Sequence, residues 1–290
     1  MEIIKSLISD DGKTIKYLQR TEDKHIIETG YYNLDEHIIC ISSQIGCPMR
    51  CVFCATSAPV DSLNPGKRFI CNLTSEEIIG QVKNVLSLIK QNELKSKRIL
   101  FSYMGMGEPF LNYKNVIRSI EILSEEFPNS RATISTLGIE PLLIRKLAHE
   151  NLNTTLKLHL SLHAPNDALR KKILPEARQI FPALEALKYF SKERNIPSKV
   201  NYILIKGIND SESHAIQLAK LLQPYPFIVK LSNLNDFSNF ESSDIDKFDM
   251  FEKILNSYGI KTCRFFSTGT DIQAGCGQLR RHLWTSEKRK

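Results

Sequence analysis

Apolar and polar residues follow two rhythms along this chain. From residue 36 onward, short runs rich in β-branched and aromatic residues are separated by longer stretches with apolar positions three and four apart. The first rhythm suits a strand and the second an amphipathic helix. HIICISSQIG (37–46) reads as a strand, and TSEEIIGQVKNVLSLIKQN (74–92) as a helix with Thr74 and Glu77 at capping-box spacing. The pairing recurs as strand RILFSYMGMG with helix NYKNVIRSIEILSEEF, and strand RATISTLG with helix PLLIRKLAHEN. Strand LKLHLSLHA is followed, after a loop, by helix FPALEALKYFSKERN, and strand KVNYILIKGIN by helix SESHAIQLAKLLQ. Strand FIVKLSNLN precedes helix DIDKFDMFEKILNSYG, and KTCRFFST reads as one last short strand.

Alternating strands and helices predict βαβ units on a parallel sheet. Six such units predict an α/β fold, a partial (β/α)6 barrel rather than a closed eight-fold one. Residues 1–35 read as a short N-terminal cap with small β elements (KTIKYLQR, HIIETGYY), and residues 36–290 as the catalytic domain with an active-site loop near its C-terminus. In such folds functional residues collect at the C-terminal ends of the strands. The unusual residues fall there. Cys47 follows the first strand, and Gly105-Met106-Gly107-Glu108 follows the second. Ser135 is late in the third, Ser161 and His163 are late in the fourth, and Asn235 closes the sixth.

The 290 residues are 42% hydrophobic and 24% charged, as in ordinary soluble globular proteins. No apolar run is long enough to span a bilayer, and MEIIKSLISDDGKTIKYLQR has no secretory-signal pattern. A cytoplasmic location is expected. Seven cysteines, an odd number, argue against a disulfide framework. A net charge of +7 is compatible with a polyanionic partner such as RNA without requiring one. The densest basic stretch, LRRHLWTSEKRK at the C-terminus, reads as a solvated tail or a phosphate contact.

Four cysteines fall in CISSQIGCPMRCVFC (40–54), and Cys47, Cys51 and Cys54 have C-x3-C-x2-C spacing. Three thiolates so close can fold around one metal centre. A structural zinc needs four ligands, so Cys40 or Cys71 would have to join them. A four-iron cluster also normally takes four thiolates, so three leave one iron open. On a βα loop this spacing resembles the signature of the radical SAM superfamily. The resemblance implies that S-adenosylmethionine (SAM) chelates the open iron and is cleaved by one electron to a deoxyadenosyl radical. GMGEP (105–109) resembles that superfamily's glycine-rich SAM segment.

CISSQIGCPMRCVFCAT, TSEEIIGQV, GMGEPFLNY, ISTLGI, SLHAPND, YILIKGIND and DIQAGCGQL occur in this order. Together they closely resemble the RlmN/Cfr family of RNA adenine methyltransferases, from about residue 26 to 280. The resemblance implies methylation of carbon 2 or carbon 8 of adenine in ribosomal or transfer RNA. Cys276 matches the cysteine that one SAM methylates and whose S-methyl group a second SAM-derived radical activates. Cys40 matches the cysteine that resolves the resulting protein–RNA adduct by forming a disulfide. Glu28 in IIETGYY falls near the family's Glu-Thr segment, with one residue fewer before Cys40, and is the candidate for the base that removes the ring proton. Gly107, Glu108, Ser135, Ser161, Leu162, His163 and Asn235 match SAM-contacting positions.

The resemblance further implies one 4Fe-4S cluster, two SAM per turnover, an electron-donor protein such as a flavodoxin or ferredoxin, and a monomer. Blander readings stand beside these: a hydrogen-bonded core pair for Ser161 and His163, a turn role for Asn235, a surface carboxylate for Glu28. Cys71 and Cys263 read as buried, inert thiols. Three features depart from the family: the short stretch ahead of Cys40 in place of an N-terminal helical domain, a longer insert at 57–71, and no proline in VKLSNLN. The alternatives to RNA methylation are the same chemistry on a peptide or small molecule, or a metal-stabilised RNA-binding protein without turnover.

Overall fold

The computed structural model describes residues 1–57, 66–235 and 240–281. Most of the insert at 57–71, and the basic tail beyond Arg281, lie outside the described residues. Three antiparallel strands open the chain: β1 (Glu2–Ile8), β2 (Thr14–Arg20) and β3 (Ile26–Asn33). β4 (His37–Cys40) follows, and β5 (Gln44–Gly46) pairs with β6 (Phe69–Asn72) in a ladder of their own. Helices α1 (Ser75–Leu86) and α2 (Gln91–Ser96) lead to β7 (Ile99–Tyr103), and α3 (Tyr113–Glu126) leads to β8 (Ser130–Thr136). α4 (Pro141–Leu147) leads to β9 (Thr155–Ser161), and α5 (Asp167–Ile173) with α6 (Ile180–Arg194) to β10 (Lys199–Ile203). α7 (Glu212–Leu222) leads to β11 (Ile228–Ser232), and α8 (Ile245–Ser257) to β12 (Thr262–Phe265).

The main sheet has ten strands in the order β1-β2-β3-β4-β7-β8-β9-β10-β11-β12. Every neighbour pair from β4 to β12 is parallel, which gives the expected partial α/β barrel with one short strand added at its far edge. β1–β3 continue the sheet at its other edge through antiparallel pairing. Side-chain alternation sorts each strand into two faces. On β9, Leu156, Leu158 and Leu160 are buried outward against the helical layer, while Lys157, His159 and Ser161 turn inward to the lumen. Helices α1 and α6 answer with Ile78, Val82, Val85 and Leu184, Leu187, Phe190. Each such side chain contributes roughly 1.5–3 kcal/mol by leaving water. The loop after β12 then reaches back across the open side of the barrel. There Thr14 and Thr268 hydroxyls meet at 3.0 Å, and the Asp10 N–H donates to Asp271.

The structure departs from the sequence pattern in four places. HIICISSQIG is not one strand: β4 stops at Cys40 and the chain turns off into β5. Gln81 of α1 takes over the ladder bonds, accepting from the Ser42 N–H (2.9 Å) and donating to the Ser42 carbonyl (2.8 Å). The long helical pattern at 74–92 is two helices, because Lys90 adopts an extended conformation. α5 lies in what reads as loop, started by Asn166, whose side chain accepts from the Leu169 N–H. β9 ends at Ser161, and His163 has a left-handed φ of +57°, so the two are not alternate residues of one strand. Cys71 is exposed on β6 and Cys263 half-buried on β12, so neither is a buried thiol; both ladders are peripheral and leave one face uncovered.

Gln81→Leu removes the partners of two buried backbone groups of Ser42. Each unsatisfied group costs about 1–3 kcal/mol, and the urea midpoint should fall accordingly.

Candidate active site

A cavity of about 290 Å³ opens at the C-terminal ends of the parallel strands. Cys47, Cys51 and Cys54 line one wall. Burial, and then the mutual proximity of the thiols, pushes Cys47 and Cys51 well above the ordinary thiol range. Ser135, Ser161 and Asn201 form the opposite wall. The two serine hydroxyls are 3.1 Å apart, and Asn201 Nδ2 donates to Ser135 Oγ (3.2 Å). Asn201 Oδ1 is buried without a partner, an acceptor waiting for a donor.

The floor is held by polar side chains bonded to backbone. Buried Glu108 accepts from the Phe110 N–H (3.2 Å), the Thr136 hydroxyl (2.6 Å) and the Leu137 N–H (2.9 Å). These bonds tie the loop after β7 to that after β8. Burial raises the Glu108 pKa, against the lowering effect of the same donors and of Arg170. Gly107 has φ +104°, and a Cβ there would lie 2.7 Å from Gln44 and Ser43, so the backbone meets the β5 segment where no side chain fits. Arg170 of α5 is buried and spreads its guanidinium over the carbonyls of Leu137, Ser161, Leu162 and Arg178. Burial lowers its pKa to about 10. His163 accepts the Ile203 N–H at Nδ1 (3.0 Å), which puts its proton on Nε2, and burial lowers its pKa to about 3. Its ring meets Phe53 of the cysteine loop edge-on, with centroids 5.3 Å apart.

The segment 274–278 closes the cavity from the far end of the chain. Gly277 has φ +82°, and a Cβ there would lie 2.5 Å from the Thr56 N atom, so the segment presses against the cysteine loop. Glu28 anchors it. Its carboxylate accepts from the Gly277 N–H (2.9 Å) and the Arg280 N–H (2.7 Å) and pairs with Lys16 Nζ (3.0 Å). Burial would lower the Lys16 pKa, but the Glu28 carboxylate holds it above the ordinary lysine range. Cys276 donates to the Met104 carbonyl (3.1 Å) and stands beside Cys40. The closeness of the two thiols favours a Cys40 thiolate, lowering its pKa, and with burial raises that of Cys276 well above the usual range. Cys276 also borders a second cavity of about 270 Å³ inside the lumen, lined by Cys40, Ser102, Thr133, His159 and Lys230.

The structure thus brings Cys47, Cys51, Cys54, Gly107, Glu108, Ser135, Ser161, His163, Asn235 and Cys276 to one cavity. Asn235 borders both cavities. Glu28 is buried rather than superficial, and Cys40 lies on the lumen side, away from the three thiols. Leu162 is packed in the core and its N–H goes to the Asn201 carbonyl. Among the described residues no three His, Cys, Asp or Glu side chains converge as a single-ion site requires. Three thiols from one loop around a roomy cavity fit a larger centre with an open position, with Cys276 on the facing segment of the same cavity. Lys16, Gln81, Arg170 and Asn201 carry no motif signal. An inward lysine in an early strand and an arginine after an Asn cap were the only traces.

The family description "Radical SAM superfamily" matches residues 41–219. A "Probable dual-specificity RNA methyltransferase RlmN" of Dictyoglomus thermophilum is 40% identical over 94% of this chain and 77% of its own length. A "Dual-specificity RNA methyltransferase RlmN" of Wigglesworthia glossinidia brevipalpis is 39% identical over 96% of this chain and 73% of its own. The chain belongs to the RlmN family of the radical SAM superfamily. The crystal structure of a radical SAM methyltransferase from Sphaerobacter thermophilus superposes with a TM-score of 0.85 at 35% identity, covering 95% of this chain and 80% of that one. The fold is the radical SAM barrel, and the chain is a radical SAM methyltransferase, of a superfamily that works with SAM and an iron–sulfur cluster. No helix among the described residues is long and apolar enough to cross a membrane.

Two outcomes follow from this geometry. Glu28→Ala leaves Lys16 buried and unpaired, and should cost about 3–5 kcal/mol in denaturant unfolding. His163 titrates from 6.5 when unfolded to about 3 when folded. Between those values only the unfolded chain binds the proton. Stability is therefore full above about pH 6.5 and declines as pH falls, by about 1.4 kcal/mol per unit. His163→Gln should flatten this acid limb in urea midpoints measured against pH.

Proposed function

We propose that this chain methylates an sp2 carbon of adenine in RNA, through an S-methyl group carried on Cys276 and released by Cys40. The observation that carries the reading is the position of Cys276. It stands between a cavity bordered by three thiols and a lumen cavity that it shares with Cys40, a second cysteine from the start of the barrel. The names of the relatives, all RNA methyltransferases, support RNA as the substrate class.

Cys47, Cys51 and Cys54 would hold a 4Fe-4S cluster whose open iron binds SAM and supplies the electron for its cleavage, delivered by a donor such as a flavodoxin or ferredoxin. The other residues do the following. Gly107, Glu108, Ser135, Ser161, His163 and Asn235 shape the SAM cavity, and the unpartnered Asn201 Oδ1 offers an acceptor to a SAM amine or hydroxyl. Cys276 accepts a methyl group from one SAM. Hydrogen abstraction from that methyl, driven by a second SAM, leaves a carbon radical that adds to the electrophilic adenine carbon presented from the lumen. Rearomatising the adduct takes away one proton and one electron: Glu28, whose carboxylate receives the N–H of the residue after Cys276, is the candidate acceptor for the ring proton, and the unpaired electron would return to the oxidised cluster. To take the proton, the carboxylate must slacken its hold on Lys16. Cys40 then attacks the Cys276 sulfur as a thiolate: the S–S bond forms, the bond from sulfur to the methylene breaks, and the departing methylene carbon takes a proton to become the methyl group of the freed base. With the Cys276 sulfur alkylated, the buried Lys16 ammonium is the group that favours the Cys40 thiolate.

Anaerobically reconstituted protein incubated with SAM should carry a methyl group on Cys276 by mass spectrometry. Cys40→Ala, incubated with SAM, reductant and total RNA, should accumulate a covalent adduct whose digestion yields an adenosine joined through a methylene to Cys276. Normal turnover by that variant would remove Cys40 from the mechanism, and an adduct to a peptide or small molecule would remove RNA.

A further inference from the structure

Below the Cys276 segment, the inner faces of β9, β10 and β11 carry cations at adjoining positions. Lys199 lies beside His159, and Lys230 beside Asn201, in parallel register. Lys157 is two residues before His159 on the same face. From Lys157 to Lys230 the column climbs about 13 Å along the strands. Arg131 on β8 is the neighbouring cation, and Glu36 neutralises it in an ion pair. Among the described residues Lys157, Lys199 and Lys230 have no such partner; the Lys230 ammonium lies over the Phe265 ring, 4.5 Å from its centroid. The column repels itself. Burial, then Arg131 and Lys199, lowers the Lys157 pKa against a smaller opposing effect of Glu36; burial, then Lys199, lowers that of Lys230 to about 8 against a smaller opposing effect of Cys263. His159 is 7% exposed, lines the lumen cavity, and has no partner for either ring nitrogen. Burial and the lysines around it keep it neutral.

Unpaired cations crowded on one inner face oppose folding, so their placement calls for an anionic occupant. We propose that Lys157, Lys199 and Lys230 hold the phosphodiester backbone of the substrate RNA where it enters the lumen, flanking the base presented to Cys276. This rests on the RNA reading above and names the surface that receives the strand. Neutral His159, with one donor and one acceptor nitrogen, then faces the entering nucleotide. A flipped-out base needs such backbone support, because unstacking it costs a few kcal/mol.

The test uses reconstituted holoenzyme and a fluorescent single-stranded oligoadenylate, titrated between about 50 and 200 mM salt. Lys157→Ala and Lys199→Ala should each weaken binding and reduce the slope of log affinity against log salt by about 0.7. Arginine at either position should restore both, and the alanine variants should melt no lower than the parent, since they relieve repulsion. Unchanged slopes in the alanine variants overturn the column. Lower melting temperatures in alanine and arginine variants alike would make the lysines structural and also overturn it. A parent enzyme that methylates Cys276 yet binds no oligoadenylate or total RNA overturns the RNA reading itself, and the column with it.

Discussion

The buried pair of Lys16 and Glu28 is the interaction on which the site depends. Its ions come from β2 and β3, at the sheet's first edge, and its second task lies at the other end of the chain. One carboxylate neutralises the lysine and receives the N–H groups of Gly277 and Arg280. Taking two charges out of water is costly, and such a pair adds little to stability by itself. Its effect is on position. A carboxylate fixed by a buried ammonium accepts only from donors at one place, and the segment carrying Cys276 supplies them. The same charges lie beside Cys40 and Cys276 and act on both thiols in opposite directions, behind the larger effects of the neighbouring thiol and of burial.

Elsewhere the same logic recurs with neutral groups and one arginine. The outer layer is apolar and closely packed, and it determines where the strands lie. Their C-terminal ends, where ladder bonding stops, are instead joined by side chains bonded to backbone. Gln81 replaces the ladder at Ser42, Glu108 joins two loops, and Arg170 gathers four carbonyls. Each buried backbone group needs a partner, and these long polar side chains provide one without extending the strands. The cavity wall is rigid for that reason, while its inner surface keeps unmet groups such as Asn201 Oδ1 and the His159 nitrogens.

The strands and helices of the barrel were legible because their apolar residues repeat at the period of the element, and the periods report the buried face directly. Thr74 and Glu77 announced α1 through the capping box, which the structure contains with both bonds. The turn into β5 was not legible, since HIICISSQIG stays apolar and β-prone throughout; the break comes from Gln81, in another element. α5 was hidden by its short length and by the buried Arg170, whose charge reads as solvent-facing. His163 was legible as a residue of interest but not as a left-handed one, because its conformation is held by Ile203 and Asn209 from the next strand and loop.

The cysteine triple, the glycine-rich segment after the second parallel strand and the succession of βα units are local patterns, and the sequence alone determined them together with the family. Spacing along the chain suffices where the interacting groups lie within a few residues, as Cys47, Cys51 and Cys54 do. The family resemblance already implied that Cys40 meets Cys276; the Lys16–Glu28 anchor, the division of the interior into two cavities at Cys276 and the column of unpaired lysines were decided only by the tertiary structure. Each depends on which strands become neighbours and which face turns inward. That is set by the summed packing of the whole sheet against its helices, and no single segment encodes it.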